Sequence, residues 1–110
     1  MNPKVSNGDL KPQLQLIPLS ALVAASGAFL DGTKKYGKAN WRTTGVSPSV
    51  YIGAAMRHIL AYYDDMQQCA EDSGVHHLGH AIACLSIILD AEKHGVLEDD
   101  RPNVTQGGSN

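Results

Sequence analysis

The chain has 110 residues, nine Lys and Arg against eleven Asp and Glu, and a net charge of −2. This is one domain, and it lacks the basic field that holds duplex nucleic acid. Two cysteines, Cys69 and Cys84, and no signal-peptide pattern point to free thiols in a reducing cytoplasm. The longest apolar run, residues 82–89, is interrupted by Ser86 and is far too short to span a bilayer, so no membrane partner is expected.

Residues 1–10 are polar and aperiodic and read as a flexible tail. Residues 11–18 alternate polar and apolar between Pro12 and Pro18, which predicts an extended arm packed on the body. Ser20 is a good cap for a first helix over residues 21–30, with Leu22, Val23, Ala25, Phe29 and Leu30 as its core stripe. Gly27 suggests a close helix crossing, and Gly32 supplies a stop. After a loop, Ser47-Pro48 starts a second helix over residues 48–66. Its apolar stripe is Ile52, Ala55, Met56, Ile59 and Tyr63, with His58, Tyr62 and Asp65 as a polar stripe beside it. An acidic loop follows, and Asp72 or Ser73 can cap a third helix over residues 75–93, which is apolar nearly all round. That pattern marks a buried central element, or one shared with another subunit. His94-Gly95 ends it, and residues 96–110 read as a disordered tail. The fold class is all-α: a helical nucleotide-binding domain over residues 11–95, built of three main helices and the N-terminal arm, and completed by homo-oligomerisation.

The stretch that organises this reading is Gly32-Thr33-Lys34-Lys35-Tyr36-Gly37-Lys38-Ala39-Asn40-Trp41-Arg42. It holds four of the nine basic residues and the only Trp, with no acid among them. Cations for phosphate, flat rings for a base and glycines for close backbone approach are the parts of a nucleotide site. In this reading Lys34, Lys35 and Arg42 meet phosphates while Tyr36 or Trp41 stacks on a base. The bland alternative is a solvated loop whose Trp plugs the core.

Two further groups can carry chemistry. His76 and His80, or His77 and His80, share a helix face at the spacing a metal site uses, and Asp64, Asp65 or Asp72 can join them across the fold. In the structural alternative, His76 caps the helix while His77 or His80 bonds Asp72 or Tyr62. His58 and Asp65, seven residues apart beside Arg57, suit a general base or a metal ligand, or equally a structural pair.

Three pieces in order resemble the N-terminal domain of dATP/dGTP diphosphohydrolases, a family of short phage and bacterial proteins placed near the MazG-like nucleotide pyrophosphohydrolases. They are Lys11-Pro12-x-Leu14-x-Leu16-Ile17-Pro18; Gly32-x-Lys34-Lys35-Tyr36-Gly37-x-x-Asn40-Trp41; and Arg57-His58 with Asp72-Ser73-Gly74-x-x-His77-Leu78-x-His80-Ala81. The resemblance spans residues 11–92. It implies an α-helical fold, a deoxynucleoside triphosphate ligand, Mg²⁺ or Mn²⁺, pyrophosphate release and oligomers in the cytoplasm, the host's if phage-encoded. Lys34, Lys35, Tyr36, Asn40, Trp41, Arg57, His58, Asp72, His77 and His80 match the family's pattern. With Arg42, Asp64 and Asp65 added on residue chemistry alone, the expected nucleotide residues are Lys34, Lys35, Tyr36, Asn40, Trp41 and Arg42. The metal ligands are Asp64, Asp65, Asp72, His77 and His80, and the catalytic groups are His58, Asp65 and Arg57, the last neutralising the leaving pyrophosphate. The paired Glu-x-x-Glu and Glu-x-x-Asp motifs of MazG-like enzymes, which cage metal ions one turn apart, are absent. That absence favours the alternative of a protein that binds and sequesters a nucleotide or a cyclic nucleotide signal without cleaving it.

Overall fold

The computed structural model describes residues 11–103; the tail expected over residues 1–10, and residues 104–110 of the tail expected over 96–110, lie outside the described residues. Among the described residues there are four α-helices, α1 Leu19–Tyr36, α2 Trp41–Thr44, α3 Pro48–Tyr63 and α4 His77–Lys93, and no strand beyond two isolated bridges. None of these helices is long and apolar enough to cross a membrane.

α4 lies in the middle. It packs against α1 on one side and α3 on the other, while α1 and α3 do not pack on each other. Small residues make these contacts: Ala25 and Ala28 of α1, Ala55 of α3, and Gly79, Ala81, Ala83 and Ala91 of α4 are all buried. The closest approach is at Gly79, where a Cβ would lie 2.5 Å from the carbonyl oxygen of Ala24. The crossing expected at Gly27 is looser, since a Cβ there would meet only Val75 at 3.4 Å.

Backbones this close leave no room for large side chains, and the predicted core stripes are accordingly displaced. Leu22, Val23 and Leu30 of α1 are exposed, as are Ile52, Met56, Ile59 and Tyr63 of α3. The third helix does form the central element that its all-round apolar pattern suggested, yet Ile82, Leu85 and Leu89 still reach the surface.

α1 runs two residues earlier and six later than expected. The Pro18 carbonyl accepts the N–H groups of Ala21 and Leu22, so Ser20 is already inside the helix. Gly32 does not stop it. A helical glycine costs about 1 kcal/mol, and the Asp31–Lys35 pair at 3.0 Å, one turn apart, works against that cost along with the packing on α4. Gly37 ends the helix at φ 95, donating its N–H to Thr33 O. Lys34, Lys35 and Tyr36 therefore stand on a helix rather than a loop.

The arm is also corrected. Residues 14–16 form a single 3-10 turn, and Leu14 and Leu16 are exposed. With no neighbouring strand to pair with, Leu16 and Ile17 bond back to Gln13 and Leu14.

The C-terminal segment departs furthest from its expected disorder. Val46 donates to Val96 O, and Glu98 donates back to Val46 O, in a short parallel bridge around the fully buried Val46. Beyond it, the Asp100 carboxylate accepts the N–H and the hydroxyl of Ser49. The side chain of Ser47 makes no cap bond, so the start of α3 is capped from the far end of the chain.

Candidate functional site

Because α1 and α3 flank α4 without packing on each other, a cleft of about 300 Å³ opens between them. α4 forms its floor through His80, Ala83, Cys84 and Ile87, spaced i, i+3, i+4 and i+7 on one face. The last turns of α1 supply Asp31, Lys35 and Tyr36, and the start of α2 supplies Asn40 and Trp41. Tyr51 and His58 enter from α3, and Asp72 enters from the loop before α4.

Lys35 is the cation of the cleft. Its Nζ lies 3.0 Å from Asp31 and 3.6 Å from Asp72. The bond to Asp31 comes first among the causes that raise its pKa above the ordinary lysine value. Asp72 is held below the usual carboxylate range, chiefly by the backbone N–H of Ser73 at 2.9 Å, then by its own backbone N–H and by Lys35. The cleft thus holds a fixed positive charge bracketed by two carboxylates that an incoming anion must displace.

The cleft also carries two imidazoles, His58 and His80, and a third, His77, packs against His58. The rings of His58 and His80 stack at 4.5 Å and 14°. His58 also shares an Nδ1-to-Nδ1 hydrogen bond of 2.8 Å with His77, which is buried behind it. The Ser73 hydroxyl and His80 Nε2 lie 2.7 Å apart, and Ser73 Oγ accepts the N–H of Val75. Burial lowers the pKa of both His58 and His80, so both are neutral near pH 7. Burial also pushes the Cys84 thiol up, which leaves it an inert wall of the floor.

The aromatic wall is held from behind. Trp41 packs on Phe29 at 5.7 Å and donates its indole N–H to Asp90 of α4 at 2.7 Å. Arg42 clamps the same carboxylate through two bonds of 2.9 and 2.8 Å. Arg42 first and Trp41 second keep Asp90 far below the usual carboxylate range.

A family model described as dATP/dGTP diphosphohydrolase, N-terminal, matches residues 1–101. The chain belongs to that family. No curated protein and no solved structure matches it.

In this member of the family, Lys35, Tyr36, Asn40, Trp41, His58, Asp72 and His80 share the cleft. The other residues singled out from the sequence do not line it. Lys34 and Arg57 are exposed outside it, and Arg42 is committed to Asp90. Asp64 and Asp65 follow the last turn of α3, past His58 and away from the cleft lining. His77 lies behind His58, and His76 accepts the N–H of Leu78 as the cap of α4, a role Asp72 and Ser73 do not take.

The donor set does not fit a resident metal ion. Among the described residues, no three His, Cys, Asp or Glu side chains converge as a cation requires. Asp31 and Asp72 face Lys35, while His77 and His80 are bonded to His58 and Ser73.

Several cleft residues escaped the sequence reading. Asp31 becomes visible only once α1 is known to continue, which sets it one turn before Lys35. Tyr51 has a signal in its i, i+7 spacing from His58, which puts both on the face beside the apolar stripe.

Proposed function

We propose that the cleft binds a purine deoxynucleoside triphosphate and that the domain hydrolyses it to the monophosphate and pyrophosphate. What carries this reading is the convergence, within one chain, of Lys35 with neutral His58 and His80 around a single cleft walled by Tyr36 and Trp41. The family description, whose printed substrates are purine triphosphates, supports the ligand class.

In this account, Lys35 exchanges its carboxylate contacts for phosphate oxygens, a charge-assisted bond that a point cation makes well. Tyr36 and Trp41 offer rings to the base, and the Asn40 amide offers a donor and an acceptor to its edge. His58 accepts a proton from the attacking water as oxygen bonds to the α-phosphorus and the bond to the bridging oxygen breaks. The divalent ion belongs to the substrate, arriving as the metal complex of the triphosphate.

The test is incubation with each of the four deoxynucleoside triphosphates and Mg²⁺ or Mn²⁺, followed by product analysis. dATP or dGTP should give monophosphate and pyrophosphate, and intact nucleotide in every case contradicts hydrolysis. Lys35→Ala should weaken nucleotide affinity roughly ten- to a hundredfold, the worth of one charge-assisted bond, while leaving the fold unchanged. The second reading, sequestration without cleavage, is favoured by the absence of a three-ligand metal set among the described residues. It predicts a ligand that raises Tm without added metal and is recovered intact.

A further inference from the structure

We infer that His77 is a positioning residue that fixes the tautomer of His58, leaving the His58 Nε2 as a bare acceptor facing the cleft. The role this gives His58 in catalysis rests on the hydrolase reading above; the tautomer itself does not.

The chain of bonds starts at Gln67. Its amide oxygen lies 3.3 Å from Nε2 of His77, and a carbonyl oxygen only accepts, so His77 carries its hydrogen on Nε2. In its neutral form the His77 ring then has a lone pair on Nδ1. That nitrogen is 2.8 Å from Nδ1 of His58, a distance two lone pairs or two N–H groups cannot share. His58 therefore donates from Nδ1, and its own lone pair is on Nε2. Among the described residues, no group bonds that Nε2.

His77 is only 7% exposed, so both its ring nitrogens need partners, and Gln67 and His58 are the two it has. The local backbone is built to supply Gln67. Met66 takes a left-handed turn at φ 58, and the Gln67 N–H donates back to Ala61 O. His80 does not compete for the free nitrogen. It stacks on the His58 ring, and its own Nε2 is engaged by the Ser73 hydroxyl. Free imidazole favours the opposite tautomer, hydrogen on Nε2, so the arrangement is spectroscopically diagnostic.

The experiment is long-range ¹H–¹⁵N NMR of the full chain labelled at histidine, at a pH where His58 is neutral and without nucleotide. His58 should show its protonated nitrogen at Nδ1 and its bare nitrogen at Nε2, with His77 showing the reverse. A His58 with hydrogen on Nε2 overturns the inference. Gln67 is exposed, so Gln67→Met should fold as the parent does while releasing His58 into a mixture of tautomers, and Gln67→Glu, which keeps an acceptor, should restore the parent pattern. An unchanged His58 spectrum in Gln67→Met also overturns the relay. Where turnover is measured, Gln67→Met should lower kcat and leave KM unchanged. If no nucleotide is cleaved, the hydrolase reading falls while the tautomer measurement still decides this inference.

Discussion

Lys35 between Asp31 and Asp72 and His58 between His77 and His80 are the two charge-controlling arrangements of the cleft. In the first, the Asp31 carboxylate is the main cause that raises the lysine pKa; in the second, burial comes ahead of the neighbouring imidazoles in lowering the histidine. Burial is the largest cause that lowers His58 and His80, whereas in the unfolded chain both titrate near about 6.5. Below that value the unfolded chain binds more protons than the folded one. The stability linked to these two rings is therefore complete above about 6.5 and is lost as pH falls towards their folded values. Tm should drop between pH 7.5 and 5, and His58→Gln with His80→Gln should flatten that slope; a parent Tm that stays level or rises on acidification contradicts the account. Composition alone pointed to the basic and aromatic stretch, because a phosphate site needs those residue types close together in the chain. It could not show that Arg42 is occupied, since its partner Asp90 lies 48 residues further on.

At the scale of elements, the site exists because α4 lets α1 and α3 approach it closely and separately. Gly79 sets that approach. In an isolated helix Gly79→Ala would gain about 1 kcal/mol from propensity. Here the added methyl meets Ala24 backbone at 2.5 Å, and backbone cannot swing aside as a side chain can. Overpacking of this kind costs about 1–3 kcal/mol, more than the propensity gain, and the displaced α1 would carry Lys35 with it. Urea unfolding should show Gly79→Ala less stable than the parent; equal or greater stability would mean that the crossing is slack. Pro48 as a helix start and the all-round apolarity of α4 were legible because both are local signals. The end of α1 was not, since packing and an ion pair carried the helix through Gly32. The capping of α3 by Asp100 was equally hidden, joining residues 51 apart.

At the scale of the molecule, apart from Val46, Pro48 and His77 the buried residues among those described are alanines and a glycine, while most large apolar side chains are outside. Leu19, Leu22, Val23 and Leu30 on α1, Val50, Met56 and Leu60 on α3, and Leu89 on α4 leave all three long helices with exposed apolar surface. Monomeric proteins rarely keep such surface in water. Light scattering after size exclusion should therefore give a mass that is a multiple of one chain; a strict monomer at micromolar concentration contradicts that expectation. The sequence pattern allowed α4 to be either central or shared, and a helix periodicity cannot tell a partner helix from a partner subunit. The most direct measurement is a titration of ¹⁵N-labelled protein with dGTP and Mg²⁺, following every assigned amide and imidazole. The account predicts saturable shifts centred on Lys35, Tyr36, Asn40, His58 and His80. Shifts centred on any other face, or a spectrum unmoved by every deoxynucleotide, would contradict it.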